Sequence, residues 1–216
     1  MIVMSLSGGM DSSSLLAYLL DQGHDVRAVS FVYGSKHNSY ERNAAESVAG
    51  YYGIPLDKLD LSSIFMGFQS DLLKSGGNIP EGHYTDSSMS RTVVPGRNLI
   101  FLSILSGLAW SIGAQSIAIG IHSGDHAIYP DCRPEFYAAM NSAIQLGTDG
   151  RVDIIAPFLQ WDKTKILQWG IPKGVPYQLT RTCYQDQELS CGRCGSCVER
   201  LEAFQNVGVK DPVIYE

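Results

Sequence analysis

The sequence predicts an α/β fold: a doubly wound, parallel five-stranded sheet with a small C-terminal metal-binding segment. Three observations predict it. Apolar β-type runs alternate with helix-period stretches from the N-terminus to about residue 170. The run S-G-G-M-D-S at 7 to 12 follows the first apolar run directly. Four cysteines then crowd into residues 183 to 197.

Residues 2 to 6, Ile-Val-Met-Ser-Leu, read as a buried first strand, followed by a glycine turn and a helix opening at Ser12. Leu15, Leu16, Leu19 and Leu20 recur at helical spacing, and Gly23 ends that helix. Residues 26 to 32 form a second strand. Ser39 is positioned to cap a helix reaching about residue 52, where Gly53 stops it. Residues 56 to 61 read as a third strand. Between 62 and 94, Gly76, Gly77, Pro80 and Gly82 break every pattern, and a long irregular stretch in a compact domain is more often functional than idle. Residues 98 to 112 are a strongly apolar helix, 116 to 121 a fourth strand, and Pro134 opens a helix running to about 146. A short fifth strand at 154 to 157 and a helix at 163 to 169 complete the set. A nucleotide-binding domain over 1–170 and a zinc-binding segment over 171–216, packed on it, follow from this order. In such sheets ligands bind at the carboxyl ends of the strands, where the strand order switches.

The turn after the first strand is suited to phosphate. Its glycines let the backbone approach a ligand, its N–H groups converge on an anion, and the new helix adds the positive end of its dipole. Leu6, Ser7, Gly8, Gly9, Met10, Asp11, Ser12 and Ser13 make up the expected nucleotide-binding stretch. No lysine lies in the turn, so it is not the common P-loop. A carboxylate among phosphate donors makes sense when Asp11 holds a Mg²⁺ bridging those phosphates. The competing reading is a tight strand-to-helix connection without a ligand.

Cys183, Cys191, Cys194 and Cys197 are spaced C-x7-C-x2-C-x2-C, with Gly192 and Gly195 between them. Such spacing directs four thiolates at one tetrahedral ion, for which Zn²⁺ is the usual guest; a closed four-thiolate site is structural. An iron–sulfur cluster competes with zinc, but the further C-x3-C-P step is missing. Disulfides fit poorly, because nothing marks the chain as secreted.

Hydrophobic residues make up 44%, enough for one sizeable core. No uninterrupted apolar run is long enough to predict a membrane span, and the first strand starts too early for a signal peptide, so a cytoplasmic location is expected. Sixteen basic residues face 22 acidic ones, a net charge of −6, without a basic run. That balance favours a small-molecule substrate over a nucleic acid.

The S-G-G-M-D-S turn resembles the pyrophosphate-binding loop of the adenine-nucleotide α-hydrolase-like enzymes, which have a Rossmann-like sheet and activate an oxygen by attaching AMP. Three further stretches narrow the match: V-P-G-R-N at 94 to 98, G-D-H-A-I-Y-P-D-C-R-P-E-F at 124 to 136, and T-C-Y with C-G-R-C-G-S-C across the cysteines. Together, in this order and over essentially the whole chain, they resemble the 7-cyano-7-deazaguanine synthase family of queuosine biosynthesis. The resemblance implies that ATP adenylates 7-carboxy-7-deazaguanine, ammonia displaces AMP to give the amide, and a second ATP converts the amide to the nitrile. It implies a homodimer as well. A variant that stops at 7-amido-7-deazaguanine, or transfers the acyl group to another amine, would carry nearly the same motifs. A base-modifying relative acting on tRNA, or a catalytically dead zinc module, fits less well.

The resemblance also suggests roles for single residues. Arg97 is a candidate partner for phosphate or for the substrate carboxylate, against a structural ion pair. Asp125 and Asp131 are candidates to read the donor edge of a guanine-like ring, Tyr129 to stack on it, and Arg133 shares their polar loop. Lys163 is a candidate phosphate ligand. With Asp11 and Arg97 it forms the expected catalytic set. Asn98 either caps a helix or touches ligand. Cys132 is expected to be packing. One departure stands out: where the family carries Y-G-Q-R-H with a glutamate three residues on, this chain has Tyr33-Gly34-Ser35-Lys36-His37, with Tyr40 in that place and Glu41 next.

Overall fold

The computed structural model describes residues 1–84 and 86–216. Strands β1 (Ile2–Ser5), β2 (Val26–Val32), β3 (Leu56–Asp60), β4 (Ser116–Ala118) and β5 (Asp153–Ile155) form one sheet in the order β3-β2-β1-β4-β5. Every pairing is parallel; Ile2 lies between Val26 of β2 and Ser116 of β4. The chain winds outward from β1 to β3, then returns to place β4 against β1. The order therefore switches between β1 and β4.

Pleating sends successive side chains to opposite faces. Met4 and Leu6 meet Leu15, Leu16, Val48, Ala49 and Ile166 from helices α1 (Met10–Asp21), α2 (Asn38–Tyr52) and α5 (Lys163–Gly170). Val3, Val29 and Ile117 meet Phe101, Leu105, Met140 and Ile144 from α3 (Arg97–Ser111) and α4 (Pro134–Gly147).

Several boundaries differ from expectation. Helix α1 opens at Met10, two residues before Ser12, because Gly9 takes the extended cap position. Helix α2 opens at Asn38 with His37 at the cap, so Ser39 lies inside it. Strand β4 ends at Ala118, not 121, since its continuation must pass the phosphate turn: a Cβ on Gly120 would sit 3.3 Å from the Asp11 backbone. Helix α6 (Gly195–Asn206), capped by Cys194 and carrying Cys197, is an element that the sequence pattern does not predict. The cysteine pattern dominates that stretch, yet Ala203 and Phe204 pack with Leu167 of α5. The four cysteines share a continuous core with the sheet.

The irregular segment is anchored by burial and by backbone. Phe65, Leu72, Leu73, Ile79, Tyr84 and Met89 join the core beside Phe31 and Phe101. Lys36 donates to the carbonyls of Asp71 (2.8 Å), Gly76 (3.4 Å) and Gly77. The divergent lysine thus holds this segment in place. One stretch, Ser87–Ser111, is long and apolar enough by composition to cross a membrane, with mean hydropathy 1.4, which sequence reading did not foresee. Its two helical pieces are separated at 93–96, and Phe101, Leu102, Leu105 and Ala109 are buried in the core.

Candidate active site

A cleft of about 180 Å³ opens at the carboxyl edge of the sheet, above the switch between β1 and β4. Its walls come from the phosphate turn, the end of β2, the start of α3, the segment after β4, and the cysteine-bearing stretch. The turn requires glycine at position 8: φ is +81°, and a Cβ there would lie 2.4 Å from the Ala45 amide nitrogen. Gly9 N–H donates to Ser7 Oγ at 3.2 Å, and Ser12 Oγ donates to the Gly9 carbonyl at 3.2 Å. No side chain caps α1, so its first amides remain available to an anion. Ser7, Gly9, Met10, Asp11 and Ser12 line the cleft. Leu6 is fully buried in the core, Ser13 is fully buried behind the turn, and Gly8 packs on α2.

Lys163, at the first position of α5, is buried within the acidic part of the site. Its Nζ lies 2.5 Å from Glu199 Oε2, 3.4 Å from Asp11 Oδ2 and 3.2 Å from His122 Nε2. His122 Nε2 lies in turn 3.4 Å from Asp125 Oδ2. Burial alone would lower the Lys163 pKa, but the carboxylates of Asp11, Glu199 and Asp125 reverse that and hold it well above the ordinary lysine value. Three carboxylates around one ammonium leave excess negative charge. Asp11 Oδ1 is buried and has no hydrogen-bond partner among the described residues. An orphaned carboxylate oxygen beside phosphate donors fits a hard divalent cation.

The other side of the cleft is aromatic. The Arg97 guanidinium faces the Tyr33 and Tyr184 hydroxyls and the carboxylate of Asp131; burial opposes its charge, but these neighbours raise its pKa well above the usual. Among the described residues no carboxylate comes within 4.0 Å of it. Tyr84 and Tyr184 share a 2.7 Å hydroxyl contact, and Tyr129 Oη lies 2.9 Å from Thr92 Oγ1. Tyr84 packs edge-on against Tyr129 at 6.0 Å.

The structure brings Asp11, Arg97, Asp125, Tyr129 and Lys163 to one cleft. Asp125 stands beside His122 at the acidic end, and Tyr129 is 4% exposed, leaving little ring face free. Asp131 and Arg133 do not line the cleft. Asp131 Oδ2 instead accepts from Asn98 N–H at 2.9 Å, acting as the cap that α3 lacks, and Asn98 Nδ2 donates to the Asp131 carbonyl and to Cys132 Sγ. Arg133 Nε donates to the His126 carbonyl. Cys132 lies at the cleft wall with its thiol pushed well up by burial, which disfavours the reactive thiolate.

Sequence reading missed Glu199, His122, Tyr84, Tyr184 and Arg181. Arg181 is 9% exposed, donates to three carbonyls at 185, 187 and 188, and offers at the cleft wall a buried Nε with no hydrogen-bond partner among the described residues. Only adjacency to the cysteine motif marked Glu199 and Arg181, which no local pattern assigns to a phosphate site.

The Sγ atoms of Cys183, Cys191, Cys194 and Cys197 lie within 4.8 Å of one another, all buried. Tetrahedral thiolate sites with ~2.3 Å metal–sulfur bonds need sulfur–sulfur edges of about 3.8 Å, so small shifts suffice. Amides of Gln185 and Cys191 donate to Cys183 Sγ, and those of Arg193 and Cys194 to Cys191 Sγ, at 3.3–3.4 Å. Such donors stabilise thiolates. The cluster fits a metal ion.

A family model described as "Queuosine biosynthesis protein QueC" matches residues 1–208. The chain belongs to the QueC family. Relatives agree over nearly full length. The 7-cyano-7-deazaguanine synthase of Caldicellulosiruptor bescii is 47% identical over 99% of this chain and 96% of its own. That of Methanoregula boonei is 44% identical over 99% and 98%. Two solved structures share the fold: a predicted tRNA methyltransferase subunit from Methanocaldococcus jannaschii (TM-score 0.52, 16% identity, covering 100% of this chain and 92% of that one) and the NMN synthetase of Francisella tularensis (TM-score 0.53, 14% identity, covering 97% and 77%). At those identities the likeness extends to the fold alone. The QueC family's place in queuosine biosynthesis matches the resemblance seen in the sequence.

Proposed function

We propose that this chain is an ATP-dependent 7-cyano-7-deazaguanine synthase, taking 7-carboxy-7-deazaguanine, ammonia and two ATP to the nitrile, AMP and pyrophosphate. One observation carries the reading: a single cleft holds an anion-binding turn with Asp11 and Lys163 at one end and Arg97 among tyrosines at the other. A carboxylate is a poor acyl donor, and attaching AMP converts its oxygen into a good leaving group. The turn's amides, Ser7 and Ser12 would hold the β- and γ-phosphates, and Lys163 would sit beside them with its charge secured by Asp11 and Glu199. Asp11 would hold Mg²⁺ through the oxygen that lacks a partner; the ion, when bound, offsets charge on the departing pyrophosphate. Arg97 would anchor the acid by its carboxylate, and the tyrosines would flank the ring. Holding acid and nucleotide together removes much of the entropic barrier. The four cysteines would hold a structural Zn²⁺. The acidic balance supports a free small molecule over tRNA as substrate.

The test is incubation with ATP, Mg²⁺, ammonium and 7-carboxy-7-deazaguanine, with product masses and nucleotides read together. Nitrile with two AMP per product is expected. ADP and phosphate would overturn the chemistry, and amide that never becomes nitrile in excess ATP would move the function to an amide-forming variant.

A further inference from the structure

The overall conversion sets a requirement beyond activation. Ammonia brings three hydrogens, and the nitrile nitrogen keeps none. The two carboxylate oxygens leave on two AMP molecules, so three protons must leave nitrogen: one as ammonia replaces the first AMP, two as the amide, with its oxygen carried off on the second AMP, becomes the nitrile. A positioned base speeds such transfers by roughly 10²–10⁴-fold.

The cleft contains a pair of groups built for this that the phosphate chemistry does not use. Glu41 lines the cleft one helical turn beyond His37, and its Oε2 lies 3.4 Å from His37 Nε2. An i,i+4 pair on a helix is ordinarily a solvated surface contact. Here the His37 side chain is 2% exposed and that of Glu41 is 19% exposed. His37 Nδ1 is buried without a hydrogen-bond partner among the described residues. A carboxylate beside one ring nitrogen favours the tautomer that carries the N–H on that side, with the lone pair on the other. The His37 ring lies 5.3 Å from that of Tyr184. Glu41 belongs to the Arg97 end of the cleft, because both act on the same phenol: Tyr33 is pushed up to about 12 by burial and by Glu41, and held back by Arg97.

Other candidates are committed elsewhere. His122 has Nδ1 against the Gly124 amide and Nε2 against Lys163 and Asp125. Asp11 and Glu199 neutralise Lys163. The Tyr184 and Tyr84 phenols have pKa values raised well above the ordinary by burial, which makes them acids too weak to supply a phenolate base.

We propose that Glu41 is the base that accepts the nitrogen protons, with His37 as the residue that positions it. In each transfer an N–H bond breaks and its electron pair stays on nitrogen, restoring the lone pair spent on the C–N bond in the amide step and supplying the C≡N bond order in the nitrile step, while the proton passes to the Glu41 carboxylate and on to water at the open cleft. The glutamate at the fourth place after the histidine lies on the same helix face, one turn on, where the two side chains meet.

The inference rests on the proposed synthase reading, so the experiment separates the two. In the full-length enzyme, Glu41→Gln and Glu41→Asp are assayed in two reactions: pyrophosphate–ATP exchange driven by 7-carboxy-7-deazaguanine without ammonia, and conversion of supplied amide to nitrile. Glu41→Gln is expected to slow nitrile formation from supplied amide about 100-fold or more while exchange falls less than tenfold. Glu41→Asp, which keeps the carboxylate, should recover part of the loss, and formate should rescue Glu41→Ala. His37→Asn should lower kcat for the amide without raising its KM. Nitrile formation by Glu41→Gln within threefold of wild type would overturn the proposal. So would a parallel fall in both reactions that Glu41→Asp leaves uncorrected, since that marks a binding or folding role. Absence of nitrile with the wild-type enzyme would bring down the synthase reading and the proposal with it.

Discussion

Replacing Lys163 with methionine tests the energetics of the acidic end of the cleft. The substitution keeps the stem and removes the ammonium. Glu199 at 2.5 Å and Asp11 at 3.4 Å then lose their counter-charge, with side chains only 15% and 23% exposed. Removing one partner from a buried ion pair costs about 3–5 kcal/mol. Partial exposure of the carboxylates places the expected loss near ~3 kcal/mol. For a chain of this size that lowers Tm by roughly 6–12 °C. Calorimetry at fixed ionic strength measures it. A double variant with Glu199→Gln should recover roughly 1–2 kcal/mol, because that substitution removes the charge left stranded. The pH dependence follows from the direction of the Lys163 shift. A folded-state pKa raised above the unfolded value stabilises the fold fully below the unfolded lysine pKa, near 10.5, and loses the benefit as pH climbs through the higher folded value. The gap between wild type and variant should therefore stay constant from about pH 6 to pH 9. A Tm within about 2 °C of wild type would refute the network. A gap that closes below about pH 9 would show that burial, not the carboxylates, governs the lysine.

Cys194→Ser should lower both metal content and thermal stability, since metal binding is coupled to folding; purified wild type should carry about one Zn²⁺ per chain by elemental analysis, and iron with visible charge-transfer absorption would contradict zinc. Arg97→Met should raise the KM for the carboxylate substrate roughly 10–100-fold, the range expected for one charge-assisted hydrogen-bonding partner, with a smaller effect on the KM for ATP. Steady-state kinetics with each substrate varied would check this, and a larger effect on ATP would reassign Arg97 to phosphate.

Much of the molecule was legible in one dimension. S-G-G-M-D-S announced its turn because only glycine accepts the φ of +81° at Gly8 and the contact with α2, and because the donors that serve an anion are contiguous. The cysteines announced their cluster for a similar reason: short spacings with intervening glycines leave few ways to arrange four thiols. The alternation of strands and helices fixed the parallel sheet through the crossover each pairing needs. Boundaries slipped where the tertiary neighbour, not the local residue, ends an element. Strand β4 stops where Gly120 must pass Asp11, and α3 takes its cap from Asp131, 33 positions away.

Asp131 also shows how tertiary placement gives a single residue a partner that its local sequence does not announce. A carboxylate in a polar loop reads as a ligand group until the loop is placed against a bare helix end. Lys163, Glu199 and Asp11 come from α5, α6 and α1, and nothing in their local sequence announces that they meet. Arg181 and Tyr184 reach the cleft because the cysteine-bearing stretch folds over it. Sequence by itself determined the fold class, the glycine turn after β1 and the thiol set, since each depends on backbone geometry and spacing along a short piece of chain. Only the tertiary structure decided which charges face one another and which are buried, because Coulomb energy and desolvation depend on distances and enclosure between elements far apart in the chain, and no local pattern encodes those.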